Sequence, residues 1–277
     1  MFKKLLLITF KYPSAVLYVK EADPMKKSYF VFVLILVLVS IAGCEEKELT
    51  VMTSQQVSPL VLEAAAAGVD VMLSTEDYRT IAATFYDIES DRSAILLHAM
   101  GKDRSSWDNF IPILINAGYN VMTLDLRGHG ESEGDHHEFG MQEFSAMYMD
   151  VEAAKNHLVL SGRTGDVLLI GASIGANTAL RYAVEDEDVS KLILLSPGLE
   201  YRGSKTEDVI HRYHGNLLFV VSDDDLYARQ SSTRLFALSK VTDDKKEYIG
   251  YKGKAHGTDM FSENNLADDI VSWLKKQ

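Results

Sequence analysis

From residue 69 onward, short apolar runs alternate with longer stretches whose apolar residues recur every three to four positions. Val69–Leu73 and Thr80–Tyr86 flank the polar Ser74-Thr75-Glu76-Asp77 and predict an antiparallel hairpin. Ala94–His98, Val121–Leu126, Asp166–Ala172, Lys191–Leu195, Asn216–Val221 and Lys246–Tyr251 predict buried strands. Between them, Trp107, Phe110, Ile111, Leu114 and Ile115 share one face of a helix over Trp107–Ala117, which Gly118 ends and Ser105 or Ser106 caps. Met147, Val151, Ala154 and Leu158 do the same over Phe144–Leu160. Leu226–Ser239 and Leu266–Lys275 complete the helices. Strand and helix alternate from residue 94, so the expected class is α/β: a mostly parallel, doubly wound sheet with an antiparallel hairpin at its N-terminal edge.

The first 68 residues follow a different pattern. Met25-Lys26-Lys27-Ser28 precedes an eleven-residue apolar run, Tyr29–Val39, then Ser40-Ile41-Ala42-Gly43-Cys44 and the charged Glu45-Glu46-Lys47-Glu48. A basic start, a short apolar stretch and small residues at its end are the grammar of a signal peptide, and the run is short for a membrane span. Ile41-Ala42-Gly43-Cys44 resembles the lipobox of prokaryotic lipoproteins, which implies cleavage before Cys44 and acylation of its thiol and new amine. The expected organisation is therefore a leader over 1–43, a stalk over 44–68 and one folded domain over 69–277. Met25 is read as the initiator and residues 1–24 as a misassigned upstream start. On this reading the protein is tethered through lipid at Cys44 on the extracytoplasmic face, at the cell surface or in the periplasm.

Composition narrows the function further. The net charge of −12 over 277 residues, without a basic stripe in the folded part, argues against nucleic acid as a partner. Cys44 is the lone cysteine, which excludes disulfide frameworks and cysteine-based metal sites within one chain.

Gly171-Ala172-Ser173-Ile174-Gly175 lies between a strand and a helix, and carries most of the chemical information. Glycines two positions either side of a serine permit a sharp strand-to-helix turn with the hydroxyl at its apex, beside helix N–H groups that favour an anion. An alcohol so placed needs a base to become a nucleophile. Asp223-Asp224-Asp225 follows one later strand and His256 the last, so serine, acid and base all fall just past strand ends, in that chain order.

Over residues 69–277 the chain resembles the α/β-hydrolases. Besides the serine elbow, Leu96-Leu97-His98-Ala99-Met100-Gly101 resembles that family's oxyanion loop, and Asp125-Leu126-Arg127-Gly128-His129-Gly130-Glu131-Ser132 its D-x-R-G-x-G-x-S turn. The resemblance implies Ser173 as nucleophile, His256 as base and Asp225 as its orienting acid, with backbone N–H groups of Ile174 and Met100 facing the oxyanion. Asp225 is chosen over Asp223 and Asp224 because the family's acid lies three residues past the position of Ser222. Ala99 and Ser222 depart from the glycines usual there, which puts the shape of the oxyanion loop in question.

The interval from Ser196-Pro197-Gly198 to Gly215 leaves room for a minimal lid, with Tyr201 and Tyr227 bordering a substrate pocket. A small single-domain esterase of the dienelactone-hydrolase-like group is the nearest resemblance, acting on carboxylic esters or thioesters of modest size, with no cofactor. An amidase or peptidase on the same residues and a surface-displayed binding module with an idle fold are the alternatives. No metal site is expected: His136-His137-Glu138 is discounted because adjacent histidines in a regular element point apart. His98 and His129 are expected to brace loops, and His211 and His214 to lie in a surface turn.

Overall fold

The computed structural model describes residues 67–277. The leader, the Cys44 lipobox and nearly all of the stalk lie outside the described residues, as does the question of initiation at Met25. Among the described residues no helix is long and apolar enough to cross a membrane.

Eight strands form one sheet: β1 (Val69–Ser74), β2 (Thr80–Tyr86), β3 (Ser93–Leu97), β4 (Asn120–Leu124), β5 (Val167–Ala172), β6 (Val189–Leu195), β9 (Asn216–Ser222) and β10 (Lys246–Tyr251). Their spatial order is β1-β2-β4-β3-β5-β6-β9-β10. β2 is antiparallel to both β1 and β4, and every other neighbouring pair is parallel. This is the expected parallel, doubly wound sheet with an antiparallel edge. A separate two-stranded hairpin, β7 (Glu200–Tyr201) with β8 (Ser204–Lys205), stands over the sheet's carboxyl end and constitutes the minimal lid.

Strand alternation divides the core into two layers. Ile95, Leu97, Leu169, Leu192, Leu194, Leu217 and Phe219 face one layer, which is covered by α3 (Tyr148–Leu160), α4 (Ile174–Ala183) and α5 (Leu226–Leu238). Leu96, Leu168, Ile170, Ile193, Leu218 and Val220 face the other, which is covered by α1 (Ile111–Asn116), α6 (Met260–Glu263) and α7 (Leu266–Lys276). The central strands are apolar on both faces because both are buried, as a parallel sheet requires. Fully burying one such Leu or Ile side chain contributes about 1.5–3 kcal/mol.

Two helices differ from expectation. Trp107 closes a 3₁₀ turn, Arg104–Trp107, and α1 begins only at Ile111. Pro112 explains the late start, since proline fits the first turn of a helix and lacks the N–H an interior position needs. The capping side chain is Asp103, which accepts from the Ser105 N–H at 2.9 Å, rather than either serine. The second expected helix is broken into α2 (Met141–Ser145) and α3, with Ala146 and Met147 between them.

Candidate active site

β5 is buried throughout and ends at Ala172. At Ser173 the chain reverses direction with φ 55° and ψ −118° and enters α4 at Ile174. A positive φ at a non-glycine residue costs about 1–3 kcal/mol and persists only where neighbours hold it. Here the Ser173 N–H donates to the Leu195 carbonyl at 2.8 Å, and both flanking glycines are sterically required. A Cβ on Gly171 would lie 2.2 Å from the Gly175 carbonyl oxygen, and one on Gly175 would lie 2.5 Å from the carbonyl oxygens of Leu97 and His98. The elbow is thus pressed against the end of β3, where Ala99 and Met100 begin the next loop.

Ala99 sits in that loop without strain. Positive φ is demanded of Gly101 instead, at 70°, so the departure from glycine at residue 99 is accommodated. The loop is held by His98, whose Nδ1–H donates to the Ala99 carbonyl at 2.8 Å while its Nε2 accepts from the Leu126 N–H at 2.9 Å. Burial pushes the His98 pKa down to about 3, so the ring stays neutral. Nearby, Asp125 accepts from the backbone N–H groups of Arg104 and Glu131 and pairs with the Arg104 side chain. Arg127 is buried against Asp150 and Asp77. The D-x-R-G-x-G-x-S segment therefore braces the loop.

β9 ends at Ser222, and the next three backbone N–H groups are all taken: Asp223 by Tyr251 O, Asp224 by Gly253 O and Asp225 by Ser222 O. Asp223 and Asp224 are left exposed, whereas Asp225 turns inward at the start of α5. Its Oδ2 lies 2.5 Å from Nδ1 of His256. That contact assigns the Nδ1 proton to the shared bond and leaves Nε2 with its lone pair.

Two serines hold the histidine's loop. The Ser196 Oγ at the end of β6 accepts from the Gly257 N–H at 3.0 Å, and the Ser222 Oγ donates to the Ala255 carbonyl at 2.7 Å. Both side chains are fully buried. A Cβ on Gly257 would lie 3.1 Å from that of Ala172 and 3.7 Å from that of Ala99, so the loop carrying His256 rests on the residues beside Ser173 and Met100. Neither clamp was anticipated; Ser222 registered only as a departure from glycine, although two serines each ending an apolar strand are visible in the sequence.

The lid hairpin supplies the roof. Tyr201 reaches from β7 to donate its hydroxyl to the Ser196 carbonyl at 3.3 Å. Burial pushes its phenol up. Its ring meets Tyr227 edge-on at 5.5 Å and His256 at 6.4 Å. Tyr227 is half-exposed and anchors the lid, its hydroxyl bonding both the N–H and the carbonyl of Glu200. A third tether, Asn177 on α4, bonds the Ser204 carbonyl at 2.8 Å and the Gly198 N–H at 3.0 Å. The sequence offered no signal for Asn177 beyond a polar residue in a mostly apolar helix.

Of the histidines beyond the site, one pair differs from expectation and the others do not. The His136 and His137 rings do not diverge: their centroids are 4.0 Å apart, because the segment is a turn rather than a regular element. His211 lies on an exposed 3₁₀ turn with His214 close behind.

Comparisons with known proteins agree with this architecture. Residues 89–217, just under half of the chain, match the family model described as serine aminopeptidase, S33. The 2-hydroxy-6-oxononadienedioate/2-hydroxy-6-oxononatrienedioate hydrolase of Escherichia coli is 28% identical over 130 residues, covering 43% of this chain and 41% of that protein. The chain thus spans less than half the length of the relatives it matches in sequence. Among solved structures, the Pyrococcus furiosus esterase Pf2001 superposes with a TM-score of 0.65 at 20% identity, covering 80% of this chain and 96% of that one. A CIB-like hydrolase from Thermoplasma acidophilum superposes with a TM-score of 0.61 at 16% identity, covering 76% and 99%. The chain has the α/β-hydrolase fold.

Proposed function

We propose that this protein is a serine hydrolase that cleaves carboxylic esters or thioesters of modest size through an acyl-enzyme on Ser173. The observation that carries this reading is the Asp225–His256 contact at 2.5 Å, made beside a serine held at positive φ at a helix N-terminus. Ser173 Oγ attacks the acyl carbonyl while His256 Nε2 takes its proton, and the same nitrogen then protonates the departing alcohol or thiol. Asp225 keeps the imidazole in the required tautomer and stabilises its charge. The Ile174 N–H, in the first turn of α4 where donors have no intrahelical partner, serves the oxyanion together with the Met100 N–H. Water admitted to the acyl-enzyme completes the cycle by the same base. Tyr201 and the short β7–β8 hairpin close the pocket over the nucleophile, which favours small acyl groups.

Turnover of p-nitrophenyl acetate, butyrate and palmitate by the full chain tests this. Acetate and butyrate should be cleaved, palmitate poorly, and Ser173→Ala should lower kcat by roughly 10³-fold or more. A fluorophosphonate probe should label Ser173 and no other residue. Wild-type turnover no faster than that of Ser173→Ala overturns the reading.

Peptide or amide cleavage on the same residues is the second reading, favoured by the description of the family model that matches residues 89–217. Aminoacyl p-nitroanilides separate the two, since an esterase should leave them nearly untouched. For location, we propose lipid attachment at Cys44 on the extracytoplasmic face, on the strength of Ile41-Ala42-Gly43-Cys44 after the apolar run. Incorporation of labelled palmitate in a bacterial host, abolished by Cys44→Ala, is the expected result.

A further inference from the structure

Four imidazoles run in file from the interior to the surface. His98 meets His129 edge-on with centroids 4.9 Å apart, His129 stacks on His136 at 4.1 Å with planes 9° apart, and His136 meets His137 at 4.0 Å. The inner two brace loops: His98 ties Ala99 to Leu126, and His129 donates from Nδ1 to the Arg127 carbonyl at 3.0 Å. The outer two have no part in the site around Ser173. One donor atom from each of Asp135, His136 and His137 lies within 4.8 Å of the other two.

We propose that Asp135, His136 and His137 bind a borderline divalent transition-metal ion, of the zinc, nickel or copper class, with at least one coordination position left to solvent. Two imidazoles and a carboxylate are the donor set such ions select, whereas magnesium and calcium prefer oxygen alone. His136 is oriented for the purpose. Its Nδ1–H donates to the Gly128 carbonyl at 3.0 Å, and its own backbone N–H bonds the same oxygen at 3.0 Å, so the ring is fixed with Nε2 free. A backbone carbonyl holding the distal N–H of a ligating histidine is the usual orienting device at metal sites. The buried ring of His129 supports His136 from beneath, and its own Nε2 is buried without a partner. Asp135 is held too, because its Oδ1 accepts from the His137 N–H at 2.9 Å, leaving the second carboxylate oxygen available. A tetrahedral ion with bonds of about 2.0–2.1 Å needs ligand atoms roughly 3.4 Å apart. His137 is exposed, and rotation of its side chain closes the remaining ångström or so. The segment is acidic, with Glu131, Glu133 and Glu138 flanking the three residues in sequence, which favours cations nearby.

Calorimetric titration of the full chain tests the site, after removal of any affinity tag and of metal by a chelator. Zinc chloride should bind at one ion per chain, with magnesium chloride as the control that gives no heat. His136→Ala and His137→Ala should each weaken zinc binding tenfold or more, while His211→Ala, at a remote exposed turn, should leave it unchanged. Zinc-edge absorption spectroscopy of the loaded protein should report two imidazole nitrogens and an oxygen shell. His137 is exposed, so the His137→Ala variant retains the fold, and unchanged circular dichroism certifies that its loss of binding is local. Absence of a zinc isotherm in the wild-type protein overturns the proposal, as does stoichiometric binding that survives both alanine substitutions.

Discussion

Ser196 and Gly257 are joined by a 3.0 Å hydrogen bond from the glycine N–H to the serine hydroxyl, across 61 residues of chain. Ser196 is fully buried and adopts φ 51°, and its carbonyl also receives the Tyr201 hydroxyl. With Ser222 holding the Ala255 carbonyl, the backbone on both sides of His256 is tied to the sheet by side chains at the carboxyl ends of β6 and β9. Backbone strain at such a position is retained where a site depends on it. On the proposed mechanism these serines are positioning residues. Ser222→Ala and Ser196→Gly should each lower kcat about 10-fold while changing KM less than twofold, because a misplaced base impairs the chemical step more than binding. Each also removes a buried hydrogen bond, which costs about 1 kcal/mol in urea unfolding. Steady-state kinetics with p-nitrophenyl butyrate reads the kcat–KM split that a purely structural role would not produce.

Three consecutive carboxylates follow Ser222, and their backbone geometry sorts them. Asp225 alone of the three approaches His256, while Asp223 and Asp224 are exposed. Asp225→Asn should lower kcat by about 10³–10⁴-fold, since the amide cannot hold the imidazole in the Nδ1–H tautomer. Asp223→Asn and Asp224→Asn should stay within about threefold of wild type. An equal loss at Asp224 would move the acid to that residue.

What could be read from the chain and what could not follow one physical division. The strands were legible because both faces of the sheet are buried, which leaves uninterrupted apolar runs such as Val167–Ala172. The elbow was legible because Gly171 and Gly175 are imposed by backbone contacts of 2.2–2.5 Å, and such contacts leave a local signature. Asp225 and His256 were reached through the order of the strands and the family resemblance. The clamps from Ser196 and Ser222 and the tether from Asn177 join positions 21–61 residues apart, and no local pattern encodes them. The late start of α1 and the break before α3 were missed because apolar periodicity continues through turns that are not α-helical. The approach of His136 and His137 was missed for a related reason: alternation of side chains holds within a strand, and these residues lie in a turn.

The elbow glycines give a graded test of packing. Gly175→Ala would press a methyl group to within 2.5 Å of the carbonyl oxygens of Leu97 and His98. It should lower the unfolding free energy by about 2–4 kcal/mol and abolish turnover, because relief requires α4 to move away from β3. Gly162→Ala is the control. Its φ is positive, at 78°, unlike that of Gly175, and a Cβ there meets nothing within 4 Å. The cost should be about 1 kcal/mol, from backbone conformation alone, with activity unchanged. Urea denaturation of the two variants separates collision from conformation.

His98 makes stability depend on pH in a direction that can be worked out. Its pKa is about 3 in the folded protein, because burial opposes the charged ring, against about 6.5 in an unfolded chain. The unfolded state therefore binds the extra proton first. The stabilisation from keeping His98 neutral is complete above pH 6.5 and is lost progressively as pH falls toward 3, by up to about 1.4 kcal/mol per pH unit. His129, whose pKa burial also lowers, acts in the same sense. Urea midpoints should accordingly fall between pH 6.5 and 4.5, with a shallower slope in His98→Gln, which has no ionisable ring. Nitrogen NMR supplies an independent check: His98 should keep a protonated Nδ1 and a bare Nε2 down to pH 5, as its bonds to Ala99 and Leu126 require. A ring that titrates near pH 6.5 in the folded protein would mean that the loop before Met100 opens to water, and the steeper pH slope of the wild type would vanish with it.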